Sequence, residues 1–253
     1  MSKIFLVNVG ANLQHQSRAR SPIFDDDRFV FVTFPLCDDE EQGRTPYPPA
    51  AHQYIRNVGL KQTHADPDWD NLTYGDDTRN GRAAALKRAV PDDILLFWAL
   101  LWRNRGSGWK DFTGDKGKGW YLIGALRIDE ILREGQRPTD AKPSNVERAK
   151  KNAHFDQGVL DKHNLVFIGS KSYSSLFPRA VEFIGCSDLM FRTVRTASGE
   201  ILKPNGGVHW SSSLRSCRAV WDLNNSEQRS RANIVRNEIL QKTGFDLLRN
   251  INL

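Results

Sequence analysis

The residues from His64 to Asp77 carry the side chains best suited to chemistry. They read His64-Ala65-Asp66-Pro67-Asp68-Trp69 and, after three residues, Thr73-Tyr74-Gly75-Asp76-Asp77. A carboxylate can stabilise a cation-like sugar carbon, attack it, or activate water toward it, which is the chemistry of glycosidic and N-glycosidic cleavage. Asp76, between Gly75 and Asp77 at what reads as a helix entrance, is the first candidate, and Asp66, ahead of Pro67, the second. Trp69 and Tyr74 add aromatic faces for stacking, and Arg79 and Arg82 add guanidiniums for phosphate. The same residues also have a plainer use. Asp76 or Asp77 can cap a helix starting near Asn80, and Asp66 can start a turn.

A second group lies between two apolar runs, where Arg103, Arg105, Lys110, Lys116 and Lys118 interleave with Trp102, Trp109 and Trp120. Cations and aromatic faces on one loop suit phosphate contact and base stacking, although a solvated hairpin tip has the same composition. Gly114, Gly117 and Gly119 precede a strand, and no Gly-Lys-Ser/Thr follows, which excludes a nucleotide P-loop. The histidines (15, 52, 64, 154, 163 and 209) show no metal-ligand spacing, though His64, His154 and His209 are free to converge in the fold. Cys37, Cys186 and Cys217 form no zinc or disulfide pattern. Ser211-Ser212-Ser213 lacks a nucleophile elbow, and Arg215 and Arg218 near Trp210 suit either phosphate or an outward strand face. No metal and no cofactor is therefore expected.

The positioning elements follow from the apolar pattern. Ile4–Val9 and Ile94–Trp102 read as strands buried on both faces. Phe29–Phe34 reads as another strand, the segment from Cys37 to Pro49 as a long surface loop, and His52–Val58 as a helix. Asn80–Ala89 is expected to be helical. Ile94–Trp102 and Trp120–Ile128 form a hairpin with a long basic tip, and a helix is expected to start at Asp129. Leu165–Gly169 reads as a strand, Ser174–Ala180 as a short helix, Val181–Gly185 as extended, Thr196–Val208 as a loop and Leu214–Trp221 as extended. A helix from Ser226 to Lys242 ends at Gly244, with Ile234, Val235, Ile239 and Leu240 on its apolar face. The expected architecture is a single α/β domain over residues 1–253, a mixed sheet with flanking helices and long basic loops.

Charge is uneven along the 253 residues. Residues 1–80 hold 8 Lys and Arg against 12 Asp and Glu, whereas residues 81–253 hold 28 against 18, for a net +6. A basic body with an acidic front segment suits a protein that holds a polyanion and places carboxylates at one point of it. No apolar run reaches membrane-spanning length and no signal peptide is evident, so a cytoplasmic protein with no membrane partner is expected.

The order of these pieces resembles a family of nucleotide-modification-associated domains, the third such family of bacterial and phage DNA-modification systems. The resemblance rests on Asn8-Val9-Gly10, Ser21-Pro22-Ile23, His64-x-Asp66-Pro67, Thr73-Tyr74-Gly75-Asp76 and Asp93-Ile94-Leu95-Leu96-Phe97-Trp98. It continues through Ile123-Gly124-Ala125-Leu126, Val166-Phe167-Ile168-Gly169, Ser174-Ser175-Leu176 and Arg179-Ala180, covers most of residues 1–185, and departs most in the C-terminal third. It implies action on, or recognition of, hypermodified bases. The chain also looks like phage-defence DNA glycosylases that excise glucosylated hydroxymethylcytosine after flipping it from the duplex. That implies double-stranded DNA with modified cytosine as partner and Asp76 and Asp66 as catalytic groups. Asn8, Asn12, Tyr74, Trp98 and His64 would then contact the flipped nucleotide, while Arg18, Arg79, Arg103, Arg105 and Lys110 hold phosphates. No lysine stands out as a Schiff-base nucleophile. The alternative is a non-catalytic reader of modified bases that recruits a nuclease.

Overall fold

One strand leaves water almost entirely. In Ile94–Arg103, ILLFWALLWR, only Arg103 is part exposed, and a run apolar on both faces belongs at the centre of a covered sheet. The computed structural model describes residues 2–35, 44–56, 62–79, 83–114, 117–155, 158–182, 194–195, 201–202 and 217–251. In chain order its strands are β1 (Lys3–Asn8), β2 (Ser21–Ile23), β3 (Arg44–Pro46), β4 (Gln62–His64), β5 (Thr73–Asp77), β6 (Ile94–Arg103), β7 (Lys118–Leu132), β8 (Asn164–Gly169), β9 (Ser175–Glu182), β10 (Val194–Arg195), β11 (Ile201–Leu202) and β12 (Cys217–Asp222). The α-helices are α1 (Val146–Ala149) and α2 (Ser226–Thr243).

An eight-stranded mixed sheet runs β12-β1-β6-β7-β8-β5, with β2 added to β6 and β9 to β7. β1 and β6 are parallel, Asn8 lying opposite Trp98, and β6 and β7 form the expected antiparallel hairpin. Alternation along β6 divides the core. Ile94, Leu96, Trp98, Leu100 and Trp102 pack with Ala232, Val235 and Ile239 of α2. Leu95, Phe97, Ala99 and Leu101 pack with Tyr74 and Phe167. The fold is thus the mixed α/β architecture expected, with β5 the last strand on one side.

Several local expectations are corrected. Phe29–Phe34 is not a strand: its backbone is used by the Ser21 hydroxyl and by the Ala11 amide, both bonding Val32, leaving isolated bridges at Phe29 and Pro35. Residues 129–132 continue β7, because Ile131 and Leu132 pair with Phe167 and Val166. Residues 175–180 form β9, because β7 offers them a second ladder at Tyr121–Ala125. The segment expected as surface loop contains β3, paired with β4, and buries Tyr47, whose hydroxyl donates to the Thr33 carbonyl at 3.1 Å.

The helices near Tyr54 and Leu86 are short 3₁₀ turns, Pro49–Tyr54 and Ala84–Arg88. On α2, Asn225 caps the start and Gly244, at φ 76°, ends it. Ala232 replaces Ile234 and Leu240 on the buried face, the latter two being 44% and 38% exposed. Residues 57–58, Asn80, Arg82, Cys37, Lys116, Cys186, His209, Trp210, Ser211–Ser213, Arg215 and most of the 196–208 loop lie outside the described residues.

Arg148 fixes the sheet edge that carries β5. From α1 its guanidinium donates to the carbonyls of Asn71 (2.7 Å), Leu72 (3.1 Å) and Gly169 (2.6 Å), joining the turn before β5, the end of β8 and the helix. Charge-assisted bonds to otherwise buried carbonyls are among the stronger ones. Arg148→Ala is therefore expected to lower stability by about 2–3 kcal/mol, read as a shift in the urea midpoint at unchanged slope.

Candidate functional site

Asp66 is the centre of the site. It follows β4 by two residues, and its carboxylate is 4% exposed. The chain then turns through residues 68–73, where Asp68 accepts from the amides of Asp70 and Asn71, and returns as β5. Asp68 is thus committed to the turn. Among the described residues β5 is the last strand of the sheet, and on its outer edge the Gly75 amide donates to Asp66 Oδ1 at 2.9 Å.

The other oxygen, Oδ2, faces two imidazoles. His64 Nε2 lies 2.7 Å away and His154 Nε2 2.9 Å, with the two nitrogens 3.1 Å from each other. His64 is held by Phe34, stacked at 5.6 Å, and Phe34 in turn stacks on His15 at 5.9 Å. His154 sits in the 3₁₀ turn Ala153–Phe155 after α1. Buried Asn152 shapes that turn: its carbonyl oxygen accepts the His154 amide at 3.1 Å and its amide donates to Thr73 Oγ1 at 3.0 Å. Both rings keep slight solvent access, 16% for His64 and 12% for His154. Among the described residues, this is the group of His, Cys, Asp or Glu side chains close enough to share a metal ion.

Electrostatics favour the carboxylate form of Asp66. Burial pushes the Asp66 pKa upward, but the two imidazoles outweigh it through charge and hydrogen bonding, and the net shift is well below the usual carboxylate range. Burial disfavours the His154 cation, yet Asp66 more than compensates, with smaller help from Asp76 and Asp77, and the His154 pKa is raised.

Gly75 makes the approach of His154 possible. A Cβ at position 75 would lie 2.0 Å from His154 Cδ2. That Cβ direction is opposite to the one taken by Tyr74 and Asp76, since neighbours on a strand face opposite ways. Asp76 is therefore not at a helix entrance. It lies in β5 and accepts from the Tyr74 hydroxyl at 2.5 Å, Tyr74 itself being buried against Phe97 and Phe167. Burial and then the Asp76 charge raise the Tyr74 pKa well above its ordinary value.

The other residues singled out are dispersed. Trp98 is 1% exposed and packs on Trp120 at 4.8 Å, in the core cluster that contains α2 rather than Tyr74, so it does not join Tyr74 in one wall. Asn8 Nδ2 donates to the Trp98 carbonyl, and Asn12 Oδ1 accepts the Gln14 amide, both holding the end of β1. Arg79 pairs with Asp77 at 2.5 Å. Arg103 donates to the Phe24 carbonyl at 3.0 Å, while Arg105 and Lys110 are exposed at the hairpin tip. The backbone of Arg18 accepts the Arg56 amide. Arg20, not singled out from sequence, lies over Trp109 at 4.9 Å and over Phe112 at 5.4 Å. His154, named with His64 as free to converge, does meet it, at 3.1 Å between the Nε2 atoms, whereas Asn152 was not singled out. His209, grouped with His154 as free to converge, lies outside the described residues.

Residues 3–234 match the family model described as Nucleotide modification associated domain 3. The chain belongs to that family. The match extends past residue 185 and reaches the middle of α2, so the family model spans much of the C-terminal third as well. No curated protein and no solved structure matches the chain. Within this nucleotide-modification-associated domain, His64, Asp66, Tyr74, Gly75 and Asp76 all fall on the two short strands and turn that form the site.

Two outcomes are expected. Gly75→Ala must displace His154 or bend β5, at a cost of about 1–3 kcal/mol typical of forced overpacking, measured by denaturant unfolding. In chelator-treated protein, the raised His154 pKa contributes stability that is fully present below its ordinary 6.5 and is lost as pH rises through the folded value. Asp66, lowered, contributes above its ordinary 3.8 and loses that as pH falls through its folded value. The stability gap between the wild type and His154→Gln should therefore be widest between about pH 4 and 6.5 and narrow above that window, as a pH series of urea titrations would read.

Proposed function

We propose that this protein is a monofunctional DNA glycosylase that flips a glucosylated hydroxymethylcytosine out of phage DNA and excises it, leaving an abasic site, in antiviral defence. The observation that carries this reading is the ionised, buried Asp66 between two slightly exposed imidazoles, in a chain of a nucleotide-modification-associated family. In the reaction the bond from the sugar C1′ to the base nitrogen breaks, and the base leaves with the electron pair. The cation-like sugar that remains is stabilised by nearby negative charge and captured by water. Asp66 supplies that charge. His64 or His154 takes the proton that the attacking water loses, a role matched by a histidine whose partner holds it in place. Base release then consumes a proton from solvent or from the other imidazole.

The net charge of +6 and the exposed cations of the hairpin tip suit contact with duplex phosphates. In this reading Arg18, Arg103, Arg105 and Lys110 serve that contact, Arg79 exchanges its Asp77 partner for phosphate, and Asn8 and Asn12 contact the flipped nucleotide, while Tyr74 supports β5 from the core side. Asp76, held by Tyr74, is a second source of negative charge on the far face of β5.

Asp66→Asn keeps the shape of the side chain and removes its charge. Incubated with phage DNA carrying glucosylated hydroxymethylcytosine, it should release base about 10²–10⁴-fold more slowly than wild type, by mass spectrometry, while duplex binding changes only a few-fold. Wild-type protein that binds this DNA but releases no base and leaves no alkali-labile site would instead be a reader, and the enzymatic reading would fall.

A further inference from the structure

The triangle formed by His64 Nε2, His154 Nε2 and Asp66 Oδ2 has edges of 2.7, 2.9 and 3.1 Å. Protons alone do not satisfy it. A ring nitrogen has one in-plane direction, used either by an N–H or by a lone pair. When both nitrogens donate to Asp66, two N–H groups face each other across 3.1 Å. When one donates to the other, the acceptor turns a lone pair toward a carboxylate oxygen. One edge is repulsive in either arrangement. A cation at the centre makes all three contacts favourable at once.

The dimensions agree with this. Ligands about 2.1 Å from a metal lie about 3.0 Å apart at right angles and about 3.4 Å apart in a tetrahedron, taking ordinary metal–nitrogen and metal–oxygen lengths. The observed edges fit the first. Two histidines and one carboxylate on one face, with the opposite positions open, is a recognised arrangement for six-coordinate divalent transition metals. The surroundings meet a second requirement, that ligands be oriented by partners of their own. Asp66 Oδ1 is anchored by the Gly75 amide, the His64 ring by Phe34, and the His154 turn by Asn152.

We propose that His64, Asp66 and His154 bind one divalent transition-metal ion facially, leaving its remaining positions to water or substrate. With the ion bound, Asp66 and the two imidazoles serve as its ligands, and a bound water of lowered pKa supplies hydroxide at neutral pH in place of the imidazole-assisted water. Use of that water rests on the cluster being the reacting centre, whereas binding of the ion does not.

The test uses the full chain, stripped with chelator and then loaded with Mn²⁺, Co²⁺ or Zn²⁺, without DNA. Calorimetry and elemental analysis should find one equivalent per chain, and the Co²⁺ form should show the weak visible bands of a six-coordinate ion. His64→Gln and His154→Gln should each bind about 100-fold or more weakly, at least the penalty seen when an outer-shell partner is lost. Glu227→Gln, on the exposed face of α2 and away from the triangle, should bind as wild type. Circular dichroism confirms that each variant is folded. No bound metal in the wild type, or wild-type affinity in either histidine variant, overturns the proposal. Base release that persists in chelator with no metal bound overturns the use of a metal-bound water, yet leaves the glycosylase reading intact. Stoichiometric metal without base release sustains the site and removes that reading.

Discussion

The interaction on which the site depends is the burial of a negative charge at the open side of a sheet. A carboxylate withdrawn from water costs several kcal/mol unless its oxygens find partners of the right kind. Asp66 finds a strand amide for one oxygen and two imidazoles for the other. Each partner then imposes a condition of its own. The amide must belong to a strand with no further neighbour, the residue carrying it must lack a side chain, and the ring of His154 must arrive from a distant turn held by Asn152 and, through α1, by Arg148.

This dependence explains why chemistry and architecture are hard to separate here. β5 serves two sides. Toward the core it sends Tyr74, which packs on Phe97 and Phe167 and ties up Asp76. Toward the other side Thr73 meets Asn152, and beside it the bare backbone of Gly75 leaves the space that the cluster fills. The two candidate aspartates therefore have different surroundings: Asp76 is bound by a phenol, Asp66 by imidazoles. Family membership in a nucleotide-modification-associated group gives that second environment its biological context.

Much of the frame was legible in the sequence because it is written in apolar runs. β1, β6, β8 and α2 came from continuous or periodic hydrophobicity, and the β6–β7 hairpin from two such runs around a basic tip. The failures occurred where local propensity yields to a long-range partner. Residues 129–132 and 175–180 are strands because β8 and β7 present free ladders to them, and nothing in their own residues demands it. Phe29–Phe34 has the pattern of a strand, but Ser21 and the loop after β1 use its backbone first. At the site, the block from His64 to Asp77 was recognisable as dense in functional groups. What joined them was not. His154 comes from 88 positions beyond Asp66, so spacing rules written for one helix or one turn could not find it. Trp98 was misplaced for a related reason: in a strand buried on both sides, sequence alone does not say which residues share a face with β5.

The position of Asp66 on the outer rim of β5 has a consequence for how copies of this chain behave toward one another. A strand with unused backbone groups is a template for pairing with a second molecule, and proteins protect such rims with inward-pointing charge or bulky cover. Here the carboxylate occupies the free N–H of Gly75 and the His154 ring lies over its backbone. The cluster thereby also covers a rim that would otherwise offer its backbone to a second molecule.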